Sequence, residues 1–171
     1  MGFPVEIVRS TRRRKTVQAR LVDGVIRVYL PAHLSAEDER AHVAELVERL
    51  ERRSRSDHVD LDQRAAALSA RFDLPRARSV RWSDTQRARW GSCSAHRGEI
   101  RVSRRLAAWP AWVLDYVLVH ELAHLAVPDH SPAFQQLVDR YPLTERARGF
   151  LIAKGLGGDL DGLTTEPPAD R

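Results

Sequence analysis

Ala111-Trp112-Val113-Leu114-Asp115-Tyr116-Val117-Leu118-Val119-His120-Glu121-Leu122-Ala123-His124-Leu125-Ala126-Val127 is apolar on nearly every side of a helix, the pattern of a segment enclosed by a core. Inside it lies His120-Glu121-Leu122-Ala123-His124, an H-E-x-x-H run. Residues four apart sit one above the other on a helix, so the two imidazoles can grip one metal ion, at about 2.0–2.1 Å each for zinc. Glu121, next to His120, can reach a metal-bound water without being a ligand, which is the position of a general base. The competing reading makes the two histidines core residues bonded to carbonyls, with Glu121 as their salt partner. Burying two His and a Glu on so apolar a helix without a metal would cost desolvation at each group, which weighs against it.

A catalytic zinc takes three protein ligands and leaves one position for water. His130 is the favoured third ligand, because Pro128 ends the helix and lets the chain turn back toward the metal. Glu145 is the competing carboxylate ligand. The reaction class is metal-assisted hydrolysis: zinc lowers the pKa of its water and polarises the scissile carbonyl, while Glu121 takes the water proton and delivers it to the leaving amine. Arg89, His96 and Tyr116 are candidates by residue type for stabilising the oxyanion, with a structural role favoured for each. The five-residue step from His124 to His130 is also that of the metzincin proteases. Val127 stands where their pattern has Gly, and the only methionine is Met1, so no later methionine turn exists.

Around this helix the chain is of one-domain size, 171 residues, with 43% hydrophobic and 30% charged residues, which excludes wholesale disorder. The single cysteine, Cys93, excludes an internal disulfide and a multi-thiolate metal site, leaving His and carboxylates as ligands. In its turn Cys93 is read as a small buried residue, not a thiolate. No apolar run is long enough to span a membrane and the opening lacks a signal-peptide pattern, so a cytoplasmic, monomeric protein is expected. The formal charge of +5 is carried almost wholly by Arg and interleaved with acids, which favours a solvated surface over a dedicated phosphate partner.

The segments 5–8, 16–22 and 25–30 are rich in β-branched residues, and Asp23-Gly24 is a hairpin signal, so an antiparallel β-unit is expected to open the chain. Ser35 followed by acids starts an amphipathic helix bearing Val43, Leu46, Val47 and Leu50, and a second helix spans 61–72. Short strands are expected at 79–83 and 99–103, separated by a turn-like stretch over 89–98. Helices are expected to begin at Ser131-Pro132 and to span 144–154. The fold class is α+β. Residues 1–156 are expected to form one domain, with a β-unit (1–34), a helical pair (35–75) and a catalytic core (76–156), and 157–171 to be a flexible tail.

The order Arg89-Trp90-Gly91-Ser92-Cys93-Ser94, Gly98-Glu99-Ile100, Leu106, Pro110, Asp115 through Leu125, then Asp129-His130-Ser131-Pro132-Ala133-Phe134 resembles the YgjP-like metallopeptidase family over nearly the full length. The Arg-rich Arg9 to Thr16 before a hairpin ending in Pro31 fits as well. The resemblance implies kinship to the SprT-like and WLM proteases, a zincin-like fold, zinc on His120, His124 and His130, and a catalytic Glu121. Ser103 and Gln135 depart from the family's usual Asn and Trp. In a zincin arrangement the strand 99–103 is expected to be the edge strand beside the active helix, open to an extended peptide.

A zinc metallopeptidase acting on peptide or protein is therefore the leading expectation. A nucleoside triphosphate pyrophosphatase using Arg12-Arg13-Arg14-Lys15 to hold phosphates, and a SprT-like protease working on nucleic acid, are the alternatives. Trp82, Trp90, Trp109 and Trp112 could stack bases, with core roles favoured for Trp109 and Trp112. His33, His42, His58 and His96 show no ligand spacing among themselves and are expected at the surface.

Overall fold

The computed structural model describes residues 3–86 and 89–156. The chain divides into two compact units, Met1–His58 and Val59–Arg171. Among the described residues it is a mixed α+β protein with two small sheets and five α-helices.

In the first unit, β1 (Val5–Ser10), β2 (Gln18–Val22) and β3 (Val25–Pro31) form a sheet in the order β1-β3-β2. Asp23 and Gly24 both take positive φ, 49° and 77°, as a two-residue hairpin turn requires, and β2 pairs antiparallel with β3. The unit is not wholly antiparallel as expected, because β1 runs parallel to β3. Two reversals of direction bring the third strand back to the heading of the first, and β1 pairs on the far side of β3, away from β2. Ile26, Val28 and Leu30 alternate inward and are fully buried, and α1 (Ala36–Asp57) supplies Val43, Leu46, Val47 and Leu50 against them. The Ser35 hydroxyl caps α1 by accepting from the Asp38 amide at 3.1 Å, and Arg9 donates to both carboxylate oxygens of Glu39 at 2.9 and 2.6 Å.

The second unit opens with α2 (Leu61–Phe72), whose first-turn Asp62 accepts from the Val80 amide at 2.7 Å and so anchors β4 (Ser79–Ser83). Then come β5 (Gly91–Ser94) and β6 (Glu99–Ser103), in the sheet order β4-β6-β5, with β4 parallel and β5 antiparallel to β6. Two sequence expectations are corrected here. Residues 91–94 form a strand within the stretch read as turn, although Gly, Ser and Cys carry little β propensity; its ladder with β6 and its packing on the central helix hold it. The strand 99–103 is the centre of the sheet, and β5 takes the edge.

The central helix α3 (Ala111–Ala123) buries Val113, Leu114, Tyr116, Val117, Leu118, Val119, Leu122 and Ala123, in agreement with its all-round apolar pattern. It ends four residues earlier than the pattern suggested. His124 caps it, and Leu125 and Ala126 donate to carbonyls three residues back, tightening the chain ahead of Pro128. Helices α4 (Pro132–Val138) and α5 (Thr144–Leu151) follow, with a π-helical turn, Ile152–Leu156, in place of the last turn expected. The expected tail at 157–171 lies outside the described residues.

Arg64 of α2 reaches across to α3, donating to Asp115 from Nε at 2.5 Å and from a terminal nitrogen at 3.0 Å. Both side chains are largely covered, 32% and 19% exposed, so screening by water is partial. Replacing Asp115 with Asn should lower the unfolding free energy by about 1–2 kcal/mol, discounted for that exposure, as a shift in the urea midpoint at unchanged m-value. An unchanged midpoint would show the pair to be energetically idle.

Candidate metal centre

His120 and Glu121 occupy the last turn of α3, His124 caps it, and His130 follows Pro128 in the loop that leads into α4. The Nε2 atoms of His124 and His130 lie 3.2 and 3.4 Å from Nε2 of His120. All three candidate ligand atoms fall within 4.8 Å of one another, the grouping of this kind found among the described residues. Ligands about 2.0–2.1 Å from a tetrahedral ion sit about 3.4 Å apart, so the separations to His120 match what one zinc-sized ion would impose.

Nδ1 of His124 lies 3.2 Å from the carbonyl of Val127. A carbonyl only accepts, so that nitrogen carries the proton and Nε2 presents its lone pair to the other two rings. Burial lowers the pKa of all three histidines, most strongly for His120, where the neighbouring His124 and His130 add to the effect. Neutral rings whose nitrogens crowd this closely suit a shared cation.

Phe134, one turn into α4 and buried, touches all three rings. It stacks on His124 at 4.4 Å between centroids and meets His120 and His130 edge-on at 4.9 and 4.7 Å. Sequence reasoning assigned this residue no role in the site. The signal available was Ser131-Pro132, which starts a helix right after His130 and thereby places position 134 beneath the loop.

Glu121 is 6% exposed and lies against the backbone of β5. A β-carbon built on Gly91 would stand 2.7 Å from both Cγ and Cδ of Glu121. Position 91 is therefore the slot in which this carboxylate rests, a contact that spacing along the chain could not reveal. Gly91→Ala should displace the carboxylate and reduce turnover about 10- to 100-fold with bound metal retained, read by kcat beside metal content. Wild-type turnover in that variant would show the slot to be irrelevant.

Other candidates from the sequence fall elsewhere. Glu145 is exposed, pairs with Arg148 at 3.3 Å and does not join the histidine group. Tyr116 is buried with its ring 6.2 Å from that of His120, and burial pushes its hydroxyl up to about 12. Cys93 is half-buried, and burial followed by the charge of Glu121 pushes its thiol up to about 11, so it is not a thiolate at neutral pH. Arg89 is exposed, and His96 bonds to Ser94 and Arg97. In the first unit, Arg13 bonds to Thr16 and Gln18 and lies over Tyr29. Trp90 packs against Trp109 with the rings tilted by 55°, Trp109 and Trp112 meet Phe150, and Arg105 and Arg146 cover Trp90 and Trp112, so these rings are engaged within the protein.

A mixed α+β scaffold gathers three histidines that could hold one metal ion, two of them from the helix end that also carries the buried Glu121. The chain belongs to the YgjP-like metallopeptidase family, whose domain model matches residues 8–151. That membership implies a divalent metal and peptide or protein substrates. No curated protein and no solved structure matches the chain. No helix among the described residues is long and apolar enough to cross a membrane.

Proposed function

We propose that the protein is a zinc-dependent peptidase of zincin-like architecture, with residues 1–156 acting as one catalytic domain, His120, His124 and His130 holding the metal, and Glu121 serving as general base. The observation that carries this reading is the approach of Nε2 of His124 and of His130 to Nε2 of His120, at 3.2 and 3.4 Å, the separation of neighbouring ligands on a tetrahedral ion. Zinc bound there would bring the pKa of a coordinated water toward neutrality and polarise the scissile carbonyl. Glu121, held against β5, would take the proton of the attacking water and return it to the leaving amine. The protein offers this proton transfer a site largely shielded from bulk water, since Glu121 is buried and Phe134 closes the floor beneath the rings.

The edge strand positions the substrate. Trp90 accepts from the Ser103 amide, so positions 90, 92 and 94 point their main-chain groups at β6. By alternation Gly91 and Cys93 point theirs to the free edge, where an extended peptide can add as a further strand with its carbonyl beside Glu121.

The test is a mass-spectrometric product scan of one incubation holding a peptide pool and nucleoside triphosphates, with Glu121→Gln in parallel. New peptide termini absent from the variant are expected. Nucleoside mono- or diphosphates formed only by the wild type would instead make it a phosphoanhydride hydrolase, and cleavage that falls steeply with salt would point to a nucleic-acid-bound substrate.

A further inference from the structure

Along the edge strand lies an open cavity of about 280 Å³ lined by Ser92, Cys93, Ser94, His96, Arg97, Glu99 and Arg101, of which Ser92, Ser94, Glu99 and Arg101 alternate onto the sheet face turned away from Glu121. The register explains why it exists. Ser92 is the cross-strand partner of Arg101 and Ser94 that of Glu99, so the edge strand presents only hydroxymethyl groups where its neighbour presents long charged ones. The Ser92 hydroxyl accepts from Gln86 Nε2 at 2.7 Å, and the small side chains at 92 and 94 leave Arg101 room to line the cavity beside them.

Charge decides which way Arg101 leans. Its partner on β4 is Arg81, and neither has a carboxylate partner among the described residues. Like charges side by side on a sheet repel, which steers the Arg101 guanidinium away from β4 and toward the serines. Arg101 lines the cavity and Arg81 does not. At the far end Arg97 donates through Nε to Nε2 of His96 at 3.1 Å, which leaves its terminal nitrogens available. Nε2 of that imidazole therefore accepts, and its Nδ1 faces the Ser94 hydroxyl at 3.3 Å as a donor. Two guanidinium groups oppose the single carboxylate of Glu99, so the cavity has room and donors for one more anion.

We propose that this cavity is a specificity subsite that receives an acidic side chain of the substrate, an Asp or Glu carboxylate, through Arg101 and Arg97. The inference rests on the peptidase reading and deepens it. A peptide strand on β5 sends alternate side chains to opposite faces: one set faces Glu121 and the histidines, and the next residue in either direction faces the arginines. Recognition is thus of an acid adjacent in sequence to a residue on the metal side.

The experiment separates this subsite from the chemistry. Zinc-loaded Glu121→Gln protein is titrated with fluorescent β-prone peptides that differ only in Glu, Gln or Lys at one position, and the wild type is assayed for cleavage of the same set. The Glu peptide should bind about five- to tenfold more tightly than the Gln peptide, the range of a partly exposed bidentate pair. Adding Arg101→Ala should bring the two peptides together, and Arg101→Glu should shift preference to the Lys peptide, a gain that misfolding cannot mimic. Preference for Glu with no cleavage by the wild type would uphold the subsite and overturn the peptidase reading. Equal binding of all three peptides, or a Glu preference that survives Arg101→Ala, would overturn the subsite even if peptides are cleaved.

Discussion

Glu121→Gln is expected to lower kcat by about 10³- to 10⁴-fold while the protein still binds one metal ion with unchanged affinity. The substitution keeps the size of the side chain and its fit against Gly91, so the slot in β5 remains filled. What it removes is the proposed proton acceptor, because an amide cannot take a proton from water at neutral pH. KM should move little, since the proposed peptide-binding edge of β5 and the arginine cavity are untouched. Metal content by atomic absorption beside kcat and KM is the check. A fall below tenfold would assign the proton transfer to another group, and loss of metal would make Glu121 part of the coordination sphere.

His130→Ala carries the second large effect. It removes one of three clustered imidazoles while sparing α3, because His130 is only partly buried and lies in the loop beyond Pro128. The remaining pair should hold zinc far more weakly, and at micromolar metal the variant should lose measurable activity. Metal that binds only the folded state adds RT ln(1 + [L]/Kd), about 4 kcal/mol when free metal exceeds Kd a thousandfold. The wild type should therefore melt at a higher temperature with zinc than with chelator, and the two curves should nearly coincide in the variant. A variant that keeps the full zinc-dependent shift would place the third ligand elsewhere, with Glu145 the first to examine.

Features of the fold that the chain declares locally are those settled by periodicity and caps. The apolar run of α3, the Val43, Leu46, Val47 and Leu50 stripe of α1, the Ser35 cap and the Asp23-Gly24 turn each depend on residues a few positions apart, and the structure carries all of them. The i,i+4 spacing of His120 and His124 belongs to the same class. Strand β5 does not, because Gly91-Ser92-Cys93-Ser94 has no pattern of its own and becomes a strand only when β6 offers a ladder.

The sequence by itself determined an α+β protein with a buried helix bearing two imidazoles and a carboxylate, since helical geometry follows from neighbouring residues. Tertiary structure decided which strand is the edge, that β1 and β4 run parallel to their central strands, that Phe134 lies under all three rings, and that a glycine 30 residues before Glu121 makes room for it. These are contacts between segments distant along the chain, where register and packing choose among arrangements that local propensity leaves equal.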